Sequence, residues 1–130
     1  MIQRYSNPRK QGDAGMGVAI GWFATQGFTV CVPLTDSQPY DLVVENGEGL
    51  KKVFVRTTTQ VSRRGSGIYN CGLRTQGGNK SQFKIKEFDP NCADLVFIVC
   101  GDGSKFLLPS CEVTTKTMIS LGEKYARFKV

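Results

Sequence analysis

The sequence predicts an α/β domain in which flanking helices pack on one mixed β-sheet, and three observations carry that reading. An apolar stripe with helical spacing comes first, runs of β-branched and aromatic residues follow it, and Gly-rich turns separate those runs. At 130 residues the chain has the length of one domain and exceeds the size at which staples are needed to hold a core. A single domain over residues 1–130 is therefore expected.

The helix is read in "GDAGMGVAIGWFATQG", where Gly15, Val18, Ala19, Trp22 and Phe23 recur at helical intervals and Gly27 supplies a stop. Its interior glycines Gly15, Gly17 and Gly21 each cost about 1 kcal/mol relative to alanine. Such a helix is expected to lie close on a sheet. "FTVCVP", "YDLVVE" and "KKVFVRTTT" read as strands, and "ADLVFIVC" and "SKFLLP" as two more joined by the hairpin signal "GDGS". The closing "SLGEKYARFKV" reads as a short amphipathic helix or a last strand.

Composition removes several function classes. No apolar run approaches the ~20 residues of a bilayer span, and "MIQRYSNPRKQGD" has neither the apolar core nor the cleavage site of a signal peptide. A soluble, cytoplasmic protein without a membrane partner is expected. The five cysteines, Cys31, Cys71, Cys92, Cys100 and Cys111, have no CxxC spacing, and the chain has no histidine. This argues against zinc, and Cys31 and Cys100, set in apolar strands, read as small buried hydrophobes. Without histidine, Ser/His/Asp and Cys/His catalysis cannot be built. Hydrolysis would have to run on metal ions.

The basic charge is concentrated. Between residues 51 and 86 stand nine cations, Lys51, Lys52, Arg56, Arg63, Arg64, Arg74, Lys80, Lys84 and Lys86, and no acid. A one-sign stretch of this length repels itself unless a polyanion offsets it, so nucleic acid is the expected partner. Two turn signals, at residues 64–67 and 77–79, flank "IYNCGLRT". They predict a protruding basic β-hairpin or loop pair able to lie in a DNA groove, with Arg63, Arg64, Arg74 and Lys80 meeting phosphates.

The stretch from Gly12 to Thr59, with "PYDLVV" followed by "VFVRTTT", resembles the front half of the PD-(D/E)xK nucleases, in particular the group I intron homing endonucleases. "DPNCADLVFIVCGDGSKFLLPSCEV" is similar to their later strands. The resemblance implies a restriction-endonuclease-like fold and a homo-oligomer, dimer or tetramer. It also implies four motif positions: Asp41 for the family aspartate, Phe54 for the acid or glutamine of the next strand, Arg56 for the lysine, and Met16, by ungapped alignment, for a helix glutamate.

Three of these four depart from the pattern. Phe54 brings no oxygen to a hard cation and Met16 only a soft sulfur, whereas Mg2+ prefers an octahedron of oxygens. Arg56 keeps its charge but cannot act as a base. Asp41 alone is left as a metal ligand if a site survives. Asp13 stands near one helical turn before Met16, and Glu45 lies about 13 Å along the Asp41 strand. Asp41 and Arg56 are expected to form a direct ion pair. The leading expectation is a DNA-binding protein that has lost cleavage and needs no cofactor. The alternatives are an active Mg2+-dependent endonuclease with a variant site, and an interaction subunit or inhibitor of an intact nuclease.

Overall fold

An Asn-Pro step starts the first element. In the computed structural model, which describes residues 7–63, 67–76 and 85–130, helix α1 runs from Pro8 to Thr25. The Asn7 side chain accepts from the Arg9 N–H at 2.9 Å, and Pro8 occupies the first turn, where its missing N–H costs nothing. The helix thus begins about two turns before the apolar stripe does. Its buried face is Gly15, Ala19 and Phe23, members of that stripe.

Among the described residues nine strands follow: β1 (Thr29–Cys31), β2 (Leu42–Glu45), β3 (Leu50–Thr58), β4 (Asn70–Gly72), β5 (Thr75–Gln76), β6 (Ile85–Lys86), β7 (Leu95–Cys100), β8 (Lys105–Pro109) and β9 (Met118–Ser120). The main sheet has the order β1-β2-β3-β7-β8, in which β3 and β7 are parallel and the other neighbours antiparallel. This is the mixed sheet expected from the sequence. β7 is buried at every position after Leu95, as its unbroken apolar run requires of a central strand covered on both faces.

Alternation along β3 divides the core in two. Val53 and Val55 join Leu42, Val44, Phe97 and Val99 under Ala19 and Phe23 of α1. Phe54 points the other way, into a cluster with Leu73, Ile98, Leu108 and Ile119. Burying each large side chain contributes roughly 1.5–3 kcal/mol. Gly15 sets the height of α1 over the sheet, since a Cβ there would stand 1.7 Å from Thr57 Oγ1. Gly17 and Gly21 open onto free space and play no such part.

The structure departs from the sequence reading in three places. Among the described residues α1 is the one α-helix; the opposite face of the sheet is covered by the β4–β9 pair and by short 3-10 turns, including Glu123–Phe128. The basic segment takes the loop-pair form of the expected hairpin or loop pair, with one antiparallel pairing across each turn signal: a bridge from Val61 to Tyr69, and the β5–β6 pair. The strand core of "IYNCGLRT" pairs with neither arm, because β4 takes β9 as its partner. Cys31 is exposed where burial was expected. In a three-residue edge strand alternation turns only Val30 inward. Cys100 is buried as read.

Candidate functional site

β3 is held on both sides by an aspartate. At residue 41 the β2–β3 ladder ends: the Asp41 N–H still donates to the Val53 carbonyl at 2.9 Å, and its carboxylate Oδ2 then accepts the Val55 N–H at 2.8 Å. A side-chain oxygen replaces the next ladder carbonyl. On the opposite edge the Asp94 carboxylate accepts the Lys52 N–H at 2.8 Å, where β7 begins. Both are charge-assisted bonds to a backbone donor that would otherwise lose its partner.

Asp41, Phe54 and Arg56 line one cavity of about 590 Å³. Burial pushes the Asp41 carboxyl above the ordinary carboxylate range, outweighing the lowering effects of the Val55 N–H and of Arg56. Burial likewise lowers the Arg56 guanidinium, against the raising effects of Asp41 and Cys71. The two side chains sense each other electrostatically, yet the expected ion pair does not form. Among the described residues the one ion pair is Arg127–Glu112, at 3.1 Å on the surface. Arg56 instead lays its guanidinium 3.9 Å from the centre of the Phe54 ring and donates from Nη1 to the Val55 carbonyl at 3.1 Å. Stacking on a buried ring, worth roughly 0.5–2 kcal/mol, competes with the pair, and one Asp41 oxygen is already committed to Val55.

Met16 is not brought to this cavity. It packs with the apolar cluster beneath α1, while the helix residues that share a second cavity with Arg56 are Pro8, Gln11 and Gly12. Gly15 abuts Thr57, and Gln11 and Gly12, one turn earlier on the helix, line that cavity. The Asn7-Pro8 start, which moves the first turn to these residues, is the sequence signal that could have located them.

The donors present do not fit a hard divalent ion. Phe54 is 5% exposed, its ring 5.3 Å from that of Phe88 and covered by Arg56. Glu45 accepts from the Gly47 N–H in its own turn, and Asp13 is exposed on α1. Among the described residues no three Asp, Glu, Cys or His side chains are gathered to hold an ion.

Of the cations proposed to meet DNA, Lys51, Lys52, Arg63, Arg74 and Lys86 are exposed. Lys52 also covers the Tyr40 ring, its Nζ 5.5 Å from the centre. Arg64, Lys80 and Lys84 lie outside the described residues. Among the described residues no helix is long and apolar enough to cross a membrane.

The parallel β3–β7 pair, the aspartate just before β2 and the helix laid over β3 define a restriction-endonuclease-like domain. Comparison with known proteins agrees. Residues 6–129 match the family model of the PD-(D/E)XK endonucleases, and the chain belongs to that family. Its fold is similar to that of the bacterial homing endonuclease I-Ssp6803I, with a TM-score of 0.73 and 23% identity over 88% of this chain and 78% of that one. It is similar at lower score to Hjc of Archaeoglobus fulgidus, a Holliday junction resolvase from an archaeal hyperthermophile. There the TM-score is 0.56 and the identity 11%, over 89% of this chain and 88% of the other. No match was found among curated proteins.

Proposed function

We propose that this chain binds double-stranded DNA on a nuclease fold without cleaving it. The observation that carries the reading is Phe54, a core side chain stacked under Arg56 at the strand position next to Asp41 where the family resemblance calls for an oxygen donor. Of the acids that line the cavity only Asp41 stands at a motif position, one of its oxygens is bonded to Val55, and among the described residues no three acidic side chains are gathered to hold an ion, so a hard cation there would lack most of its shell. The exposed cations Lys51, Lys52, Arg63, Arg74 and Lys86, in a segment without acids, support the choice of partner. Family resemblance adds a homo-oligomer, dimer or tetramer, which light scattering in solution checks.

The experiment has two arms. In the first, duplex affinity is measured against salt; it is expected to fall steeply, by ~0.9 log units per phosphate contact for each log unit of salt. In the second, plasmid nicking is assayed with Mg2+ or Mn2+ at matched DNA occupancy, and no cleavage above background is expected. Nicking that disappears on Asp41→Ala would establish an active endonuclease and refute the proposal. Absence of DNA binding at low salt would point to an interaction subunit.

A further inference from the structure

Arg56 forms the wall between two cavities of opposite character. The cavity on the Asp41 side carries four carboxylates, Asp36, Asp41, Glu87 and Asp89, against Arg56 and Lys86. The other, of about 610 Å³, lies between the first turns of α1, the end of β3 and the start of β9, and no acid lines it. Arg56 and Arg74 line it together with Gln11, Thr57 and Thr117.

We propose that this second cavity holds a phosphate of the bound DNA strand without a divalent ion, so that phosphate is recognised on the side of Arg56 away from Asp41. The inference rests on the DNA-binding reading above and adds where the backbone is gripped. Phosphate is repelled by the four carboxylates of the first cavity and attracted by the two guanidiniums of the second. Arg56 is half-buried yet makes a single hydrogen bond, to a neutral carbonyl, and among the described residues it forms no ion pair. Four of its five N–H donors are left for an anion, and their planar fork matches two phosphate oxygens. Arg74 is exposed and likewise forms no ion pair among the described residues. The volume falls within the range of ligand-sized pockets, enough for a phosphate and part of the nucleotide that carries it. The first turn of α1 contains no acid to oppose the positive end of the helix dipole there.

Two glycines of α1 supply a matched test. A Cβ added at Gly12, in the cavity wall, or at Gly17, outside it, meets nothing within 4 Å, so glutamate is accommodated at either. Gly12→Glu and Gly17→Glu change the net charge equally on the same helix. With a short labelled duplex at low salt in EDTA, Gly12→Glu is expected to weaken binding roughly tenfold and Gly17→Glu no more than about twofold. Arg74→Gln is expected to weaken binding and reduce the salt slope by ~0.9. Equal losses from the two glutamates, or binding by the natural protein that vanishes in EDTA, would overturn the inference while leaving DNA binding intact. A natural protein that binds no duplex with or without Mg2+ would instead overturn the reading beneath it. Duplexes with and without 5′-phosphates identify the source: equal affinity assigns the cavity to an internal phosphodiester, and loss on dephosphorylation to a strand end.

Discussion

The Arg56 guanidinium carbon lies 3.9 Å from the centre of the Phe54 ring, whose centre is 5.3 Å from that of Phe88. This stack joins two changes that look independent in the sequence. A phenylalanine offers a face and an arginine a planar cation that covers it, whereas a lysine would present a compact, strongly hydrated charge. The pair also explains why Asp41 forms no salt bridge. Its oxygen closes the β2–β3 ladder while the cation rests on the ring.

Rebuilding a metal site is expected to require the first turns of α1. Phe54→Gln and Arg56→Lys return an oxygen and a lysine beside Asp41 and remove the broad guanidinium that lines both cavities, so that Gln11→Glu, in the second cavity, can bring a carboxylate across to them. This triple variant is expected to nick plasmid DNA with Mg2+ and to lose the activity on Asp41→Ala. The same pair combined with Met16→Glu should stay inactive, because Met16 packs into the apolar cluster. Losing the Phe54 ring costs about 3 kcal/mol, so circular dichroism must first show both variants folded. Activity in the Met16→Glu set alone would reverse the assignment of the helix position.

The three interior glycines of α1 should respond oppositely to alanine. Gly17→Ala and Gly21→Ala add a methyl group in open space and gain helix propensity, an expected increase of ~1 kcal/mol each. Gly15→Ala drives a Cβ to 1.7 Å from Thr57 Oγ1, which forces the helix off β3 or Thr57 out of place. A loss of roughly 1–3 kcal/mol is expected. Urea denaturation of the three variants measures all of this, and a stabilising Gly15→Ala would contradict the close approach.

Asp41 should make stability depend on pH in the direction opposite to a salt-bridged carboxylate. Its pKa is raised by folding, chiefly through burial, so the native state holds the proton more tightly than the unfolded chain. The favourable contribution is complete below the ordinary carboxylate pKa of 3.8 and is lost as pH rises through the raised native value. Asp41→Asn keeps an oxygen for the Val55 N–H and removes the charge. Thermal melts should show the variant matching the natural protein at low pH and exceeding it increasingly as pH rises through the carboxylate range. A variant advantage that shrinks over that range would show that the attraction of Arg56 outweighs burial.

Local chemistry made much of this fold legible, and long-range placement hid the remainder. Gly15, Ala19 and Phe23 show their buried face by spacing alone, and the β7 run reads as a covered strand by its unbroken apolarity. The pairing of β4 with β9 joins Cys71 to Ile119 across the chain, and no turn signal encodes such a partner. Asp41 and Arg56 were located by the resemblance, but their relation was not. The competing stack on Phe54 and the bond to Val55 exist only once β2 and β3 are aligned. The Arg56–Arg74 cavity escaped for the same reason, since its walls come from α1, β3, β4 and β9.

The cysteines allow the site to be probed without nucleic acid. Burial pushes the Cys71 thiol up to about 12, despite the opposing influence of the nearby Arg56 cation. The thiolate is the reactive form, so Cys71 should be inert at neutral pH although a cation beside a thiol usually activates it. Cys71 and Cys100 are 1% and 0% exposed, whereas Cys31 and Cys111 stand on the surface. Iodoacetamide labelling followed by peptide mass spectrometry should modify Cys31 and Cys111 promptly and leave Cys71 and Cys100 protected until the fold opens. Protection of Cys71 should be lost on Phe54→Ala, because removing the ring takes away the support of Arg56 and opens the cluster that Cys71 shares with Phe54. If Cys71 in the natural protein were alkylated as fast as Cys111, β4 would not seal this side of the sheet and the wall ascribed to Arg56 would be open.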